Sequence, residues 1–180
     1  MTTAHANAST QAAHEATPAP AVPSGVDALL DLDAPALQRL YEGARVPRIP
    51  DVAGDLRGRM LAIPALREPL AALPRALARQ GFFPWRGKSF TPRGEDRGEG
   101  INRVLLDRFH IFRFETFIGR SRAGDFDAVQ LDYDIPSNPF FIRAIKDELR
   151  ELRPGLYLGQ AYVQIRGASH LALYFGLESP

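Results

Sequence analysis

WRGKSF, residues 85–90, holds the chain's single tryptophan and one of its only two lysines, and it marks the point where the pattern of the sequence changes. Before it, apolar residues recur at helical spacing. Leu37, Leu40 and Tyr41 stand at i, i+3 and i+4 within 26–44, and Leu66, Leu70, Leu73 and Leu77 keep that period within 64–80. After it come short runs rich in aromatic and β-branched residues: INRVLLD (101–107), FHIFRFETFI (109–118), DAVQLDYD (127–134), LYLGQAYVQIR (156–166) and HLALYFGLE (170–178). RAGD (122–125) and GAS (167–169) read as hairpin turns, and TPRGEDRGEG (91–100) as a charged, Gly-rich loop. With DLRGRMLAI (55–63) as a first strand, the expectation is a mainly β protein with flanking helices. Its strands form a closed or nearly closed antiparallel barrel, because closure removes exposed strand edges.

Helices flank the strands in this reading. Asp33 caps a helix that Pro35 opens and Gly43 ends, and RVPRIPDVAG (45–54) connects it onward. Pro69 and Pro74 break or kink the 64–80 helix. NPFFIRAIKDELREL (138–152) reads as a further helix, with Asn138 as N-cap, a buried stripe of Phe141, Ile145, Leu149 and Leu152, and Asp147 on the solvated side. Residues 1–24, rich in Ala, Thr, Ser and Pro, read as a disordered tail. The expected organisation is therefore tail 1–24, helix and connector 25–54, and barrel domain 55–180 with helices at 64–80 and 138–152.

Composition removes several classes of function. The 180 residues are 45% hydrophobic and 24% charged, with a formal net charge of +1. That is enough to build a core, and it lacks the basic excess expected of a nucleic-acid binder. Without cysteine there is no disulfide, thiolate nucleophile or cysteine zinc site. No apolar run approaches the roughly 18–20 residues of a membrane-spanning helix. The first 25 residues carry no Lys or Arg and no apolar core of a secretory signal, so a cytoplasmic location is expected. GxGxxG, GxxxxGK[ST], HExxH and GxSxG are absent. Gly87-Lys88-Ser89 resembles the end of a phosphate loop, but Phe82 stands where that loop needs glycine. Neither a cofactor nor a metal is implied, and the oligomeric state is open.

Trp85-Arg86-Gly87-Lys88-Ser89-Phe90 resembles the opening strand of small lipid-binding barrels. It is similar to the Gly-x-Trp signature of lipocalins, and more so to an uncharacterised bacterial domain named for its Gly-x-Trp-x-Gly motif, which often continues Lys-x-Phe. The chain departs from both at Phe83, where the motif has glycine. The resemblance implies a lipocalin-like barrel with Trp85 closing its floor; it implies no chemistry. Strict alternation puts Arg86 and Lys88 on the face opposite Trp85 and Ser89, which reads Lys88 as a strand lysine reaching for solvent.

Two functional readings follow. In the first, the barrel holds a small apolar ligand (lipid-like, terpenoid or polyketide-like). Trp85, Phe112, Phe114 and Tyr133 would wall the site, and Arg113 and Tyr157 would orient the ligand's polar end. In the second, the barrel is an isomerase, cyclase or hydrolase acting on such a molecule, with acid–base candidates His110, Glu115, Asp132 and Asp134. Arg113 and Glu115 share a strand face and can equally form a structural ion pair. Asp132 and Asp134 can equally pair with arginines or organise the following turn.

Overall fold

The computed structural model describes residues 21–64, 85–104 and 108–180. Eight strands form a closed antiparallel barrel in simple sequence order: β1 (Gly54–Ala62), β2 (Trp85–Pro92), β3 (Arg97–Val104), β4 (Phe109–Arg120), β5 (Asp127–Asp132), β6 (Ile145–Arg153), β7 (Leu156–Ile165) and β8 (Ala168–Glu178). β8 closes the ring by pairing with β1, from Arg57 opposite Glu178 to Ala62 opposite Tyr174. Neighbouring strands are hairpins, so the chain meanders around the barrel without a crossover. The charged 91–100 stretch is mostly strand: β2 runs to Pro92 and β3 starts at Arg97, leaving only residues 93–96 as the turn.

One end of the barrel is plugged. A 3-10 turn, Ile49–Val52, lies across it, and Ile49 and Val52 join Leu56, Phe90, Phe114, Leu131, Tyr157 and Leu177 in a single buried cluster. Tyr157 donates its hydroxyl proton to the Asp51 carbonyl at 2.7 Å, which ties the turn to the wall. Helix α1 (Ala34–Gly43) lies on the outside, against β6 and β7. Asp33 Oδ1 accepts from the Ala36 N–H at 2.8 Å as its cap. Ten residues make a marginal helix alone, so α1 depends on burying Leu37, Leu40 and Tyr41 against Leu61, Leu156, Leu158 and Tyr174.

The structure corrects the expected 138–152 helix. Helix α2 spans only Phe140–Arg143, and β6 follows from Ile145. Ile145 and Leu149 are four residues apart, a spacing that shares a face in a strand as well as in a helix, so the stripe does not discriminate. Asn138 is not a helix cap either. Its amide donates to the Arg113 carbonyl at 2.7 Å and to the Tyr133 carbonyl at 2.9 Å, pinning the loop that precedes α2. The expected 64–80 helix and most of the expected tail lie outside the described residues. Where the tail becomes described, the Ser24 carbonyl accepts from Arg153.

Candidate functional site

The barrel interior at the end opposite the 3-10 plug contains a cavity of about 290 Å³. Its walls are the apolar side chains Met60, Val104, Phe112, Ile145, Ala161, Leu173 and Phe175, with Trp85 on one side and Ile142 of α2 above. At its base stand four polar residues: Lys88, Asn102, Tyr133 and Asp147.

Two β-bulges build this arrangement. Trp85 pairs with Val104 but Gly87 with Arg103, so Arg86 is an extra residue in β2. The insertion breaks strict alternation and turns both Trp85 and Lys88 inward, which corrects the expectation that they face opposite ways. Gly87 takes φ +134°, and a Cβ there would lie 2.0 Å from the Leu56 carbonyl oxygen, so no other residue fits. Gly58 of β1 leaves space for the Trp85 indole, which a Cβ would meet at 2.6 Å. The second bulge lies between β3 and β4. Ile101 pairs with Arg113 and Asn102 with Ile111, leaving Phe112 unpaired in the left-handed region at φ 59°. Such a backbone persists in a non-glycine residue only where its surroundings impose it. Here Asn102 Nδ2 donates to the Phe112 carbonyl at 3.2 Å while the ring forms part of the cavity wall.

Lys88 is 3% exposed and anchors the polar base. Its ammonium donates to Tyr133 Oη at 2.5 Å, to Asn102 Oδ1 at 2.8 Å and to Asp147 Oδ2 at 3.0 Å. Four aromatic rings surround it, Tyr133 and Phe175 at 5.2 Å, Phe114 at 5.3 Å and Trp85 at 5.6 Å, each within cation–π range. Burial pushes the Lys88 pKa below the usual lysine range, and the Asp147 charge opposes that shift. Burial, reinforced by the Asp147 charge, pushes the Tyr133 hydroxyl well up. Tyr133 donates to Asp147 Oδ2 at 3.0 Å and accepts from Asn102 Nδ2 at 3.1 Å, and Trp85 Nε1 donates to Asn102 Oδ1 at 3.0 Å. Asp147 Oδ1 is buried with no hydrogen-bond partner among the described residues.

The next residue along β6, Glu148, points the other way and is fully buried beneath α1. Its carboxylate accepts from Tyr41 Oη at 3.0 Å, Ser121 Oγ at 2.5 Å, the Arg122 N–H at 3.0 Å and Arg122 Nη1 at 3.2 Å. This cluster fastens the N-terminal helix to the outer wall.

The residues proposed from sequence separate into two groups. Trp85, Phe112 and Tyr133 line the cavity. Phe114 is buried one layer deeper, stacked edge-on against Tyr133 and Phe90 at 5.3 Å from each. Tyr157 belongs to the plugged end. Arg113 and Glu115 are exposed on the outer face of β4, so neither reaches the interior, and His110 is exposed as well. Asp132 pairs with Lys146, and Asp134 with Arg143 at 2.6 Å. The Arg143 guanidinium holds the Asp134 carboxyl below its usual range. Glu115 and Asp132 are cross-strand partners, and the Asp134 N–H donates to Asp132 Oδ1 at 2.8 Å, so these three carboxylates gather on the outer face of the barrel and none lines the cavity. Lys88, Asn102 and Asp147 were missed as site residues. One signal for Lys88 was present: it is one of only two lysines among 22 Lys and Arg residues, and a compact ammonium fits a buried site with three acceptors better than a guanidinium fork.

No protein-family model matches the chain, and no curated protein matches it. Among solved structures, the crystal structure of a protein from Thermomonospora curvata is similar, with a TM-score of 0.49 and 17% sequence identity over 83% of this chain and 88% of that one. Among the described residues no helix is long and apolar enough to cross a membrane, and no three His, Cys, Asp or Glu side chains gather as metal ligands.

Proposed function

We propose that the barrel is a lipocalin-like container for one small, mainly apolar molecule with a single polar end. The observation that carries this reading is the cavity itself: about 290 Å³, walled by apolar side chains and floored by buried polar ones. Pockets that bind small molecules combine those two properties. The volume is about twice that of an apolar cavity known to admit benzene, which suits a ligand on the order of a dozen heavy atoms. The resemblance of Trp85–Phe90 to lipid-binding barrels supports the same reading. It requires one correction, since Trp85 walls the cavity while Ile49 and Val52 close the far end of the barrel. The enzymatic alternative loses its support with His110 and Glu115 outside the barrel.

Native mass spectrometry of the protein purified from its own host tests the proposal directly. A retained small molecule, released on denaturation, is the expected result. The neutral dye N-phenyl-1-naphthylamine is expected to brighten on binding and to be displaced by the extracted molecule. A protein that retains nothing and leaves the dye dark overturns the container reading.

A further inference from the structure

Alternate connections of an antiparallel meander emerge at the same end of the barrel. Those that follow β1, β3, β5 and β7 lie at the cavity end, and the other three, residues 93–96, 121–126 and 154–155, lie at the plugged end. The two ends differ in what they expose. Six large apolar side chains are exposed among the described residues, and four of them, Phe109, Phe140, Phe141 and Ile165, belong to the cavity end. Phe140 and Phe141 are 85% and 58% exposed and stack edge-on at 5.6 Å on α2, whose next residue, Ile142, borders the cavity. Phe109 stands opposite the cavity-wall residue Val104, and Ile165 lies two residues beyond Val163, the partner of Ile145. The three connections at the plugged end expose no large apolar side chain. Scattered exposed apolar residues are ordinary, but a gathering of them at one end marks a contact surface.

Charge decides what the surface meets. The acids described at this end, Asp132 and Asp134, are paired with Lys146 and Arg143. Arg108 and Arg166 adjoin Phe109 and Ile165, are exposed, and form no ion pair among the described residues. The rim therefore sets an uncompensated guanidinium beside an apolar tip at two separate places. We propose, beyond the container reading, that the cavity end of the barrel docks on an anionic lipid surface. Phe109, Phe140, Phe141 and Ile165 enter the boundary between headgroups and acyl chains, and Arg108 and Arg166 meet the headgroup charges. A second copy of the chain fits this rim poorly, because an isologous contact would set one positive rim against another. A bilayer also suits the cavity behind the rim, since it holds the kind of apolar molecule that the container reading places there.

Co-sedimentation with sucrose-loaded vesicles tests the docking, using phosphatidylcholine alone and an equimolar mixture with phosphatidylglycerol. The full chain is expected to bind the mixed vesicles, more weakly as salt rises, and to bind phosphatidylcholine far less. Phe140→Ser/Phe141→Ser should lower affinity for the mixed vesicles at least about tenfold, since two rings no longer leave water. Arg108→Gln/Arg166→Gln should lower it about tenfold and flatten its salt dependence. Ile118→Ser, at the other end of β4, should leave it unchanged. The substituted side chains are exposed, so circular dichroism should show the strands intact in every variant. Failure to bind mixed vesicles, or equal binding by the Phe140→Ser/Phe141→Ser variant, overturns the docking and leaves the container standing. A dimer of the wild type that this variant abolishes assigns the rim to a second copy and likewise overturns it. Vesicle binding by a protein that retains no small molecule and leaves N-phenyl-1-naphthylamine dark in vesicle-free buffer supports the docking while the container reading falls.

Discussion

Lys88 Nζ lies 3.0 Å from Asp147 Oδ2 across the inside of the barrel, two residues 59 apart in sequence joined where almost no water reaches. Two charges at that distance in a buried site attract strongly, but each has also given up its hydration. Removing one partner is therefore worse than removing both. Lys88→Met alone is expected to cost about 3–5 kcal/mol, because it strands the Asp147 carboxylate. Lys88→Met/Asp147→Leu should recover at least about 2 kcal/mol of that loss. Urea unfolding of the two singles and the double checks the coupling, and additive losses would contradict it.

Ala161 sits on the cavity wall with only a methyl group to offer. Ala161→Phe puts a ring into the empty volume, so binding of N-phenyl-1-naphthylamine should fall at least tenfold. Stability should shift by no more than about 1–3 kcal/mol, the range for overpacking a site that has some room. A variant that binds the dye as well as the wild type would place the dye elsewhere.

Trp85 is the only tryptophan, and it faces the cavity with Phe175 edge-on at 5.9 Å and its N–H on Asn102. Its emission should lie to the blue of a water-exposed indole. Borneol, which does not absorb in this region, should change that emission on binding with the same apparent affinity that calorimetry gives. An emission maximum typical of free indole would contradict the inward turn of β2.

All five tyrosines have their hydroxyls pushed above the usual value near 10, in every case first by burial, with Tyr157 and Tyr174 at about 12. A group whose folded pKa is raised holds its proton more tightly when folded. The resulting stability is complete below pH 10 and is lost as pH rises from there through about 12. An ultraviolet titration should therefore show almost no tyrosinate at pH 10. Tyrosinate should then appear in one step together with loss of the circular dichroism of the strands. A fifth of the signal or more titrating reversibly near pH 10, with the fold intact, would contradict the burial of at least one ring.

Much of the barrel was legible in the sequence because its strands alternate and its turns carry their own chemistry. β7 and β8 meet at Arg166 and Gly167, both at positive φ, beside the predicted turn. What stayed hidden depends on partners far along the chain. Asp147 looks like the wet side of a helix until Lys88 arrives from 59 residues away, and Glu148 finds its donor Tyr41 only across 107 residues. Lys88 looked outward because period-2 counting cannot anticipate a bulge, and one inserted residue exchanges the two faces of a strand. Arg113 and Glu115 looked like interior anchors for a related reason: an aromatic strand that is partly covered on both faces gives no sign of which one is inside.

The two carboxylates that lie back to back on β6 also govern how that strand can be threaded. Asp147 meets its cation inside the ring, and Glu148 meets its donors on the far side under α1. Sliding β6 by a single position against β5 and β7 would carry Lys146, Glu148 and Arg150 into the lumen and strand Ile145 and Leu149 outside. Three charges would then crowd around a lysine placed to meet one. The misthreaded ring is thus penalised by electrostatics as well as by lost apolar burial, and β6 serves as a keyed segment that admits a single alignment of its neighbours.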